Sequence, residues 1–250
     1  MNDDVLSLPD DIAPRCEVLP QKHEPTSPAI PAYLENTYWW AYLRPGSVWL
    51  FEREWLVNLI LWGNMRRLTN AVLEEIHLGE NESVLQVACV YGDFSNRLLK
   101  HLEPSRSRLH ILDIAGIQLQ NARKKLQHHT LVSLHHQDSS KLRFPTARYA
   151  QTVVFFLLHE QPENIRRATI AEAIRVTRPG GKVVFVDYHL PRRSNPLRYL
   201  MRPVLHWLEP FALDLWRVKL TDYLPPGLDP ANIRTDYYCG GLYQRVVIDL

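Results

Sequence analysis

Ser83-Val84-Leu85-Gln86-Val87-Ala88-Cys89 runs directly into Val90-Tyr91-Gly92-Asp93, and Phe94 opens the next segment. A short apolar run without polar alternation is the pattern of a parallel strand buried on both faces. Gly92 lets the backbone turn closely at the strand end, and the periodic segment 94–102 then reads as a helix packed back on the strand. Outward from this unit the alternation continues. Strands are predicted at 108–114, 131–136, 151–158 and 182–188, with helices at 117–129 and 162–177 between them. Arg178-Pro179-Gly180-Gly181 reads as a turn before the strand at 182. Segments 233–239 and 242–248 flank Gly240-Gly241 and predict a terminal hairpin. Strands alternating with helices predict an α/β fold: a doubly wound, seven-stranded sheet with an antiparallel edge.

Two additions flank this domain, which spans 79–250. Residues 1–32 carry prolines at 9, 14, 20, 25, 28 and 31 and read as a flexible arm. Residues 33–78 read as an aromatic helical cap, in which 47–77 look helical. An insertion at 189–232 mixes Leu200, Trp207 and Trp216 with Arg193, Arg198 and Arg202, which suits a lid or an interfacial helix; Pro203 and Pro210 are expected to kink or divide it.

Composition narrows the function. Of the 250 residues, 29 are basic and 27 acidic, which gives no electrostatic footprint for nucleic acid. Cys16, Cys89 and Cys239 are too few and too scattered for a disulfide framework or a thiolate zinc site. With Asn2-Asp3-Asp4 at the start and no apolar run of roughly 18–20 residues, a cytoplasmic chain is expected, with contact at a membrane surface left open.

The strand ends carry a ligand constellation. Asp113 closes the second strand about 20 residues after the glycine loop, where a carboxylate accepts from ribose hydroxyls. Asp138, followed by Ser139, closes the third, where it can accept from an adenine amino group. Each has a plainer reading as a helix cap or Asx-turn. Together with Gly92 they predict one nucleoside pocket.

On these residues the chain resembles the class I S-adenosylmethionine (SAM) dependent methyltransferases, a Rossmann-like fold, over roughly residues 80–190. A narrower resemblance rests on Tyr38-Trp39-Trp40-Ala41-Tyr42-Leu43-Arg44-Pro45, Ile60-Leu61-Trp62-Gly63-Asn64 and Val87-Ala88-Cys89-Val90-Tyr91-Gly92-Asp93. These segments are similar to the rhodoquinone biosynthesis family. That resemblance implies conversion of ubiquinone to rhodoquinone, with an amino group from SAM replacing a ring methoxy group and manganese (Mn2+) required. It implies a place at the inner membrane surface. The loop departs from the general methyltransferase pattern at Gln86, Ala88, Val90 and Tyr91, and bulk there is expected to shift the methionine half of the cofactor.

Under this reading Val90, Tyr91, Gly92, Asp113, Ile114, Asp138 and Ser139 bind SAM. Asp93, Tyr91 and His159 are the catalytic candidates; His159, Asp187 and His189 are the metal candidates, because manganese takes carboxylate and imidazole. Tyr38, Trp39, Tyr42 and Trp62 would contact the quinone. The pairs His128-His129 and His135-His136 read as solvated or packing residues. The alternatives are an ordinary quinone or phenol methyltransferase and a non-catalytic subunit with the same fold.

Overall fold

The structure is a computed structural model that describes residues 28–38 and 45–250. Trp39, Trp40 and Tyr42, and nearly all of the proline-rich arm, lie outside the described residues.

Seven strands form one sheet in the order β3-β2-β1-β4-β5-β7-β6. The strands are β1 (Ser83–Val87), β2 (Arg108–Asp113), β3 (Val132–His136), β4 (Tyr149–Phe155), β5 (Thr177–Tyr188), β6 (Ile233–Tyr238) and β7 (Tyr243–Asp249). The first five run parallel, and β7 lies antiparallel between β5 and β6. This is the sheet of the class I methyltransferase fold, as expected from the alternation. Every residue of β4 is buried, because each of its faces meets a helical layer. The helices are α1 (Pro45–Phe51), α2 (Glu54–Ile60), α3 (Met65–Leu73), α4 (Phe94–Leu102), α5 (Gly116–Leu126), α6 (Glu163–Val176), α7 (Leu197–Leu208) and α8 (Asp214–Arg217). In α4, Phe94, Leu98, Leu99 and Leu102 form the apolar stripe, and Phe94 stacks on Phe155 of β4 with ring centroids 4.3 Å apart.

Segment 47–77 is helical, in three pieces: the side-chain amide of Asn64 donates to the carbonyls of Leu61 and Trp62 and stops the chain between α2 and α3. Two expectations change. Arg178-Pro179-Gly180-Gly181 lies inside β5, at a register shift opposite Tyr149 and Gln151. A Cβ at Gly181 would collide with the carbonyl of Ala150, so only glycine fits this irregularity. Helix α7 runs on through Pro203, whereas Pro210 does start a new turn. Among the described residues no helix is long and apolar enough to cross a membrane.

Candidate active site

The strand order reverses between β1 and β4, so the loops after β1, β2 and β4 meet at one edge of the sheet. A cavity opens there beneath the N-terminal cap. Its floor includes Val90, Tyr91, Asp113, Ile114, Asp138 and Ser139. Its roof is apolar, with Leu34, Tyr38, Val57, Ile60 and Leu61, and His159, Glu160 and Glu209 face it from the far side.

The β1 loop is tied down from three directions. Gln86, fully buried, donates to the carbonyl of Ala88 and accepts from Ser95 on α4. The Asp113 carboxylate accepts the Cys89 N–H at 2.7 Å and the Ala115 N–H at 2.8 Å. Burial raises the Asp113 carboxyl while those N–H groups pull it down, so the same side chain caps the next loop and faces the cavity. Lys125 donates to the carbonyls of Val90 and Gly92, at 3.0 and 2.9 Å, and pairs with Glu52 beside α1 at 2.7 Å. Burial pushes the Cys89 thiol well up, so it stays a neutral packing group.

Tyr91 accepts from Gln118 at 2.6 Å and stacks on Phe51, with centroids 5.7 Å apart. Burial raises its hydroxyl, so it is a neutral phenol. Asp138 accepts from the N–H and hydroxyl of Ser140 in an Asx-turn, and Ser139 bonds Thr169 and Gln161. The plainer turn reading of Asp138 and its place in the cavity wall therefore hold together.

His159 is buried with its Nδ1 2.9 Å from Asp187 Oδ1 and its Nε2 3.2 Å from Glu209 Oε2. Burial opposes the imidazolium, but Asp187, Glu209 and Glu160 outweigh it and push the pKa up to about 10. His159 is thus a cation and a hydrogen-bond donor, not the free base or neutral metal ligand expected for it. Burial raises the Glu209 carboxyl, with His159 holding it back.

Several expected site residues sit elsewhere. Asp93 immediately precedes α4, accepts from the Asn96 side-chain amide and does not line the cavity. Gly92, with φ +75°, lies behind the cavity wall against Val57. Trp62 is 43% exposed and donates its indole N–H to Met201, so its neighbours Ile60 and Leu61 face the cavity instead. The three metal candidates do not converge. Asp187 is filled by donors from Leu158, His159 and Tyr188, while His189 bonds the Gly241 carbonyl and packs on Tyr237. Among the described residues no group of three His, Cys, Asp or Glu side chains is placed to hold a metal, so the residues do not fit the expected manganese site.

Three residues escaped the sequence reading. Glu209 arrives from the insertion, and nothing in its local sequence marks it. Arg166 is fully buried on α6 and donates to the carbonyls of Leu158, Gln161 and Phe211, clamping the His159 turn to the insertion. His110 of β2 bonds His135 at 2.9 Å; burial lowers the pair to about 3 and about 4, so both are neutral packing groups. An arginine about one turn into the helix, in register with Thr169, Ile170 and Ala173 on the buried face, was the available signal for Arg166.

Comparison with known proteins agrees with this fold. Residues 84–181 match the family model described as a methyltransferase domain. A demethylmenaquinone methyltransferase of Lactiplantibacillus plantarum is 27% identical over 153 residues, which cover 60% of this chain and 61% of that protein's length. Human N-acetylserotonin methyltransferase, solved with SAM, superposes with a TM-score of 0.59 at 14% identity over 87% of this chain and 61% of that one. The N-methyltransferase NodS of Bradyrhizobium japonicum, solved with S-adenosyl-L-homocysteine, gives 0.51 at 15% identity over 73% and 85%. Residues 84–181 thus carry the match to a methyltransferase domain, within a sheet that has the strand order of the class I methyltransferase fold.

Proposed function

We propose that the cavity binds SAM and a hydrophobic quinone, and that the chain is a SAM-dependent transferase. The charge of the lining carries this reading. Asp113, Asp138, Glu160 and Glu209 face the cavity, His159 is the only cation opposing them, and no lysine or arginine lines it among the described residues. A dinucleotide pyrophosphate finds no lysine or arginine partner there among the described residues. SAM carries sulfonium and ammonium charges, which a carboxylate-rich, poorly solvated wall favours. Asp113 accepts from the ribose hydroxyls, Asp138 and Ser139 meet the adenine edge with Ile114 against its face, and Val90 and Tyr91 take the methionine end. The apolar roof takes the quinone ring and the start of its tail, with Tyr38 against the ring. The quinone methyltransferase among the relatives supports that substrate class.

The favoured reaction is amination of ubiquinone to rhodoquinone: the SAM nitrogen would bond to the ring carbon while the methoxy group leaves as methanol. The Cα–H electron pair would then reduce the ring and leave an imine, and water would cleave the nitrogen's bond to the SAM α-carbon, releasing the amino-substituted ring as its quinol and a 2-oxo acid. What we take to favour it over methyl transfer is Tyr91, whose ring, held by Phe51 and Gln118, stands beside the loop where the methionine end is expected and would crowd the usual methyl-transfer position. His159 donates from Nε2 to a quinone oxygen and stabilises the charge that builds there. Glu160 or Glu209 takes the proton that the α-ammonium must lose before its nitrogen can attack. Such a substrate calls for a peripheral position at the inner membrane surface. Methyl transfer to the quinone ring is the second reading, favoured by the demethylmenaquinone methyltransferase match.

Mass spectrometry of the product separates them. The purified chain is incubated with SAM and a short-chain ubiquinone, with and without manganese. Amination predicts a quinone bearing amino in place of methoxy. A methylated quinone assigns the second reading, and no product from protein that binds SAM overturns both.

A further inference from the structure

The outer side of the insertion carries a feature separate from the cofactor cavity. Helix α7 buries Met201 and Leu205 and turns Leu200, Val204, Trp207 and Leu208 outward, at i, i+4, i+7 and i+8. Trp207 is 82% exposed. Beside the stripe, α7 meets the cap where the Trp62 indole reaches the buried Met201 Sδ at 3.2 Å, and Trp55 and Leu59, on the helix leading to Trp62, are each 64% exposed. Apolar surface of this extent on a soluble fold marks an interaction site.

The other flank of α7 is basic. Arg198, Arg202 and His206, each one turn apart, line a groove closed by Trp216 and Arg217. Trp207 lines the groove as well, so groove and stripe share an edge. Trp216 is 9% exposed, and its indole N–H has no hydrogen-bond partner among the described residues. From 191 to 208 the chain holds four arginines and not one acidic residue.

We propose that this face docks on an anionic phospholipid bilayer, the stripe entering the acyl boundary and the groove taking a lipid phosphate between Arg202, Arg217 and the Trp216 N–H. Exposed tryptophan and leucine beside arginine is the chemistry of an interfacial helix. Self-association through the same face would set the arginine cluster of one copy against that of another, which opposes it. Binding to lipid is read without turnover, so this inference stands or falls apart from the reading of the cofactor cavity.

The test is co-sedimentation of the full chain with vesicles of phosphatidylcholine alone and of phosphatidylcholine with phosphatidylglycerol. Binding at least about tenfold tighter to the anionic vesicles is expected. The double variant Arg202→Ser/Arg217→Ser should lose that preference, and Trp207→Ser/Leu200→Ser should bind both vesicles more weakly. All four positions are solvent-facing, so an unchanged thermal midpoint is the folding control, and single variants serve where a double one unfolds. Equal binding to both vesicles, or wild-type binding by the arginine variant, overturns the proposal. So does binding of glycerol 3-phosphate without vesicle binding, or a dimer in light scattering that Trp207→Ser dissolves.

Discussion

Asp187 holds His159 from behind. Its Oδ1 lies 2.9 Å from Nδ1 of the imidazole, and its Oδ2 accepts the backbone N–H groups of Leu158 and His159. The strand therefore fixes both the ring and the turn that carries it, and Nε2 is left pointing at Glu209 across the cavity edge. Asp187→Asn removes the charge that keeps the ring protonated. Turnover should fall about a hundredfold, and the alkaline limit of the pH–rate profile should move toward neutrality.

The same ring makes stability depend on pH. Its pKa rises from 6.5 to about 10 on folding, so its stabilisation is complete below pH 6.5 and is lost as pH climbs through 10. His159→Gln should be less stable than wild type at pH 6, with the gap narrowing toward pH 10. Urea unfolding midpoints across that range check it, and a constant gap would deny the protonated state.

Lys125 joins the β1 loop to the cap. Lys125→Met leaves the carbonyls of Val90 and Gly92 and the Glu52 carboxylate without their cation. A loss of about 2 kcal/mol in unfolding free energy is expected. The KM for SAM should rise more than kcat falls, because the loop is displaced rather than the reacting groups.

Two positions in that loop separate backbone strain from crowding. Ala88 has φ 71°, a left-handed conformation that disfavours a side chain by about 1–2 kcal/mol. Gly92 has φ +75°, and an added Cβ would meet only Val57 at 3.8 Å, an ordinary contact. Gly92→Ala should therefore destabilise by about 1 kcal/mol through the backbone alone. Ala88→Gly should raise the thermal midpoint slightly, since relief of strain is partly offset by a freer unfolded chain.

Much of this was legible in the chain. Strands appear as apolar runs because the sheet is covered on both faces, so β1 to β5 and the terminal hairpin could be read within a few residues. Asp113 and Asp138 were legible because strand ends in a parallel sheet meet by topology. The partners of His159 were not. Glu209 reaches it from 50 residues away through a kink between α7 and the next turn, and no local period encodes that approach. Asp187 and His189 alternate along the chain, but β5 ends at Tyr188, so His189 leaves the sheet for the Gly241 carbonyl. Of the cap aromatics assigned to the cavity by type, Tyr38 lines it but Trp62 faces outward, because Val57, Ile60 and Leu61 supply the inner side there.

Calorimetric titration of SAM into the wild-type chain and into Asp113→Asn tests the cofactor reading most directly. An asparagine keeps the shape but offers one acceptor oxygen in place of two, so ribose hydroxyls and the Cys89 N–H then compete for it. Saturable one-to-one binding by the wild type is predicted, weakened at least about tenfold in a variant that keeps its far-ultraviolet dichroism. Undiminished affinity in the folded variant, or no binding by the wild type, would contradict the account.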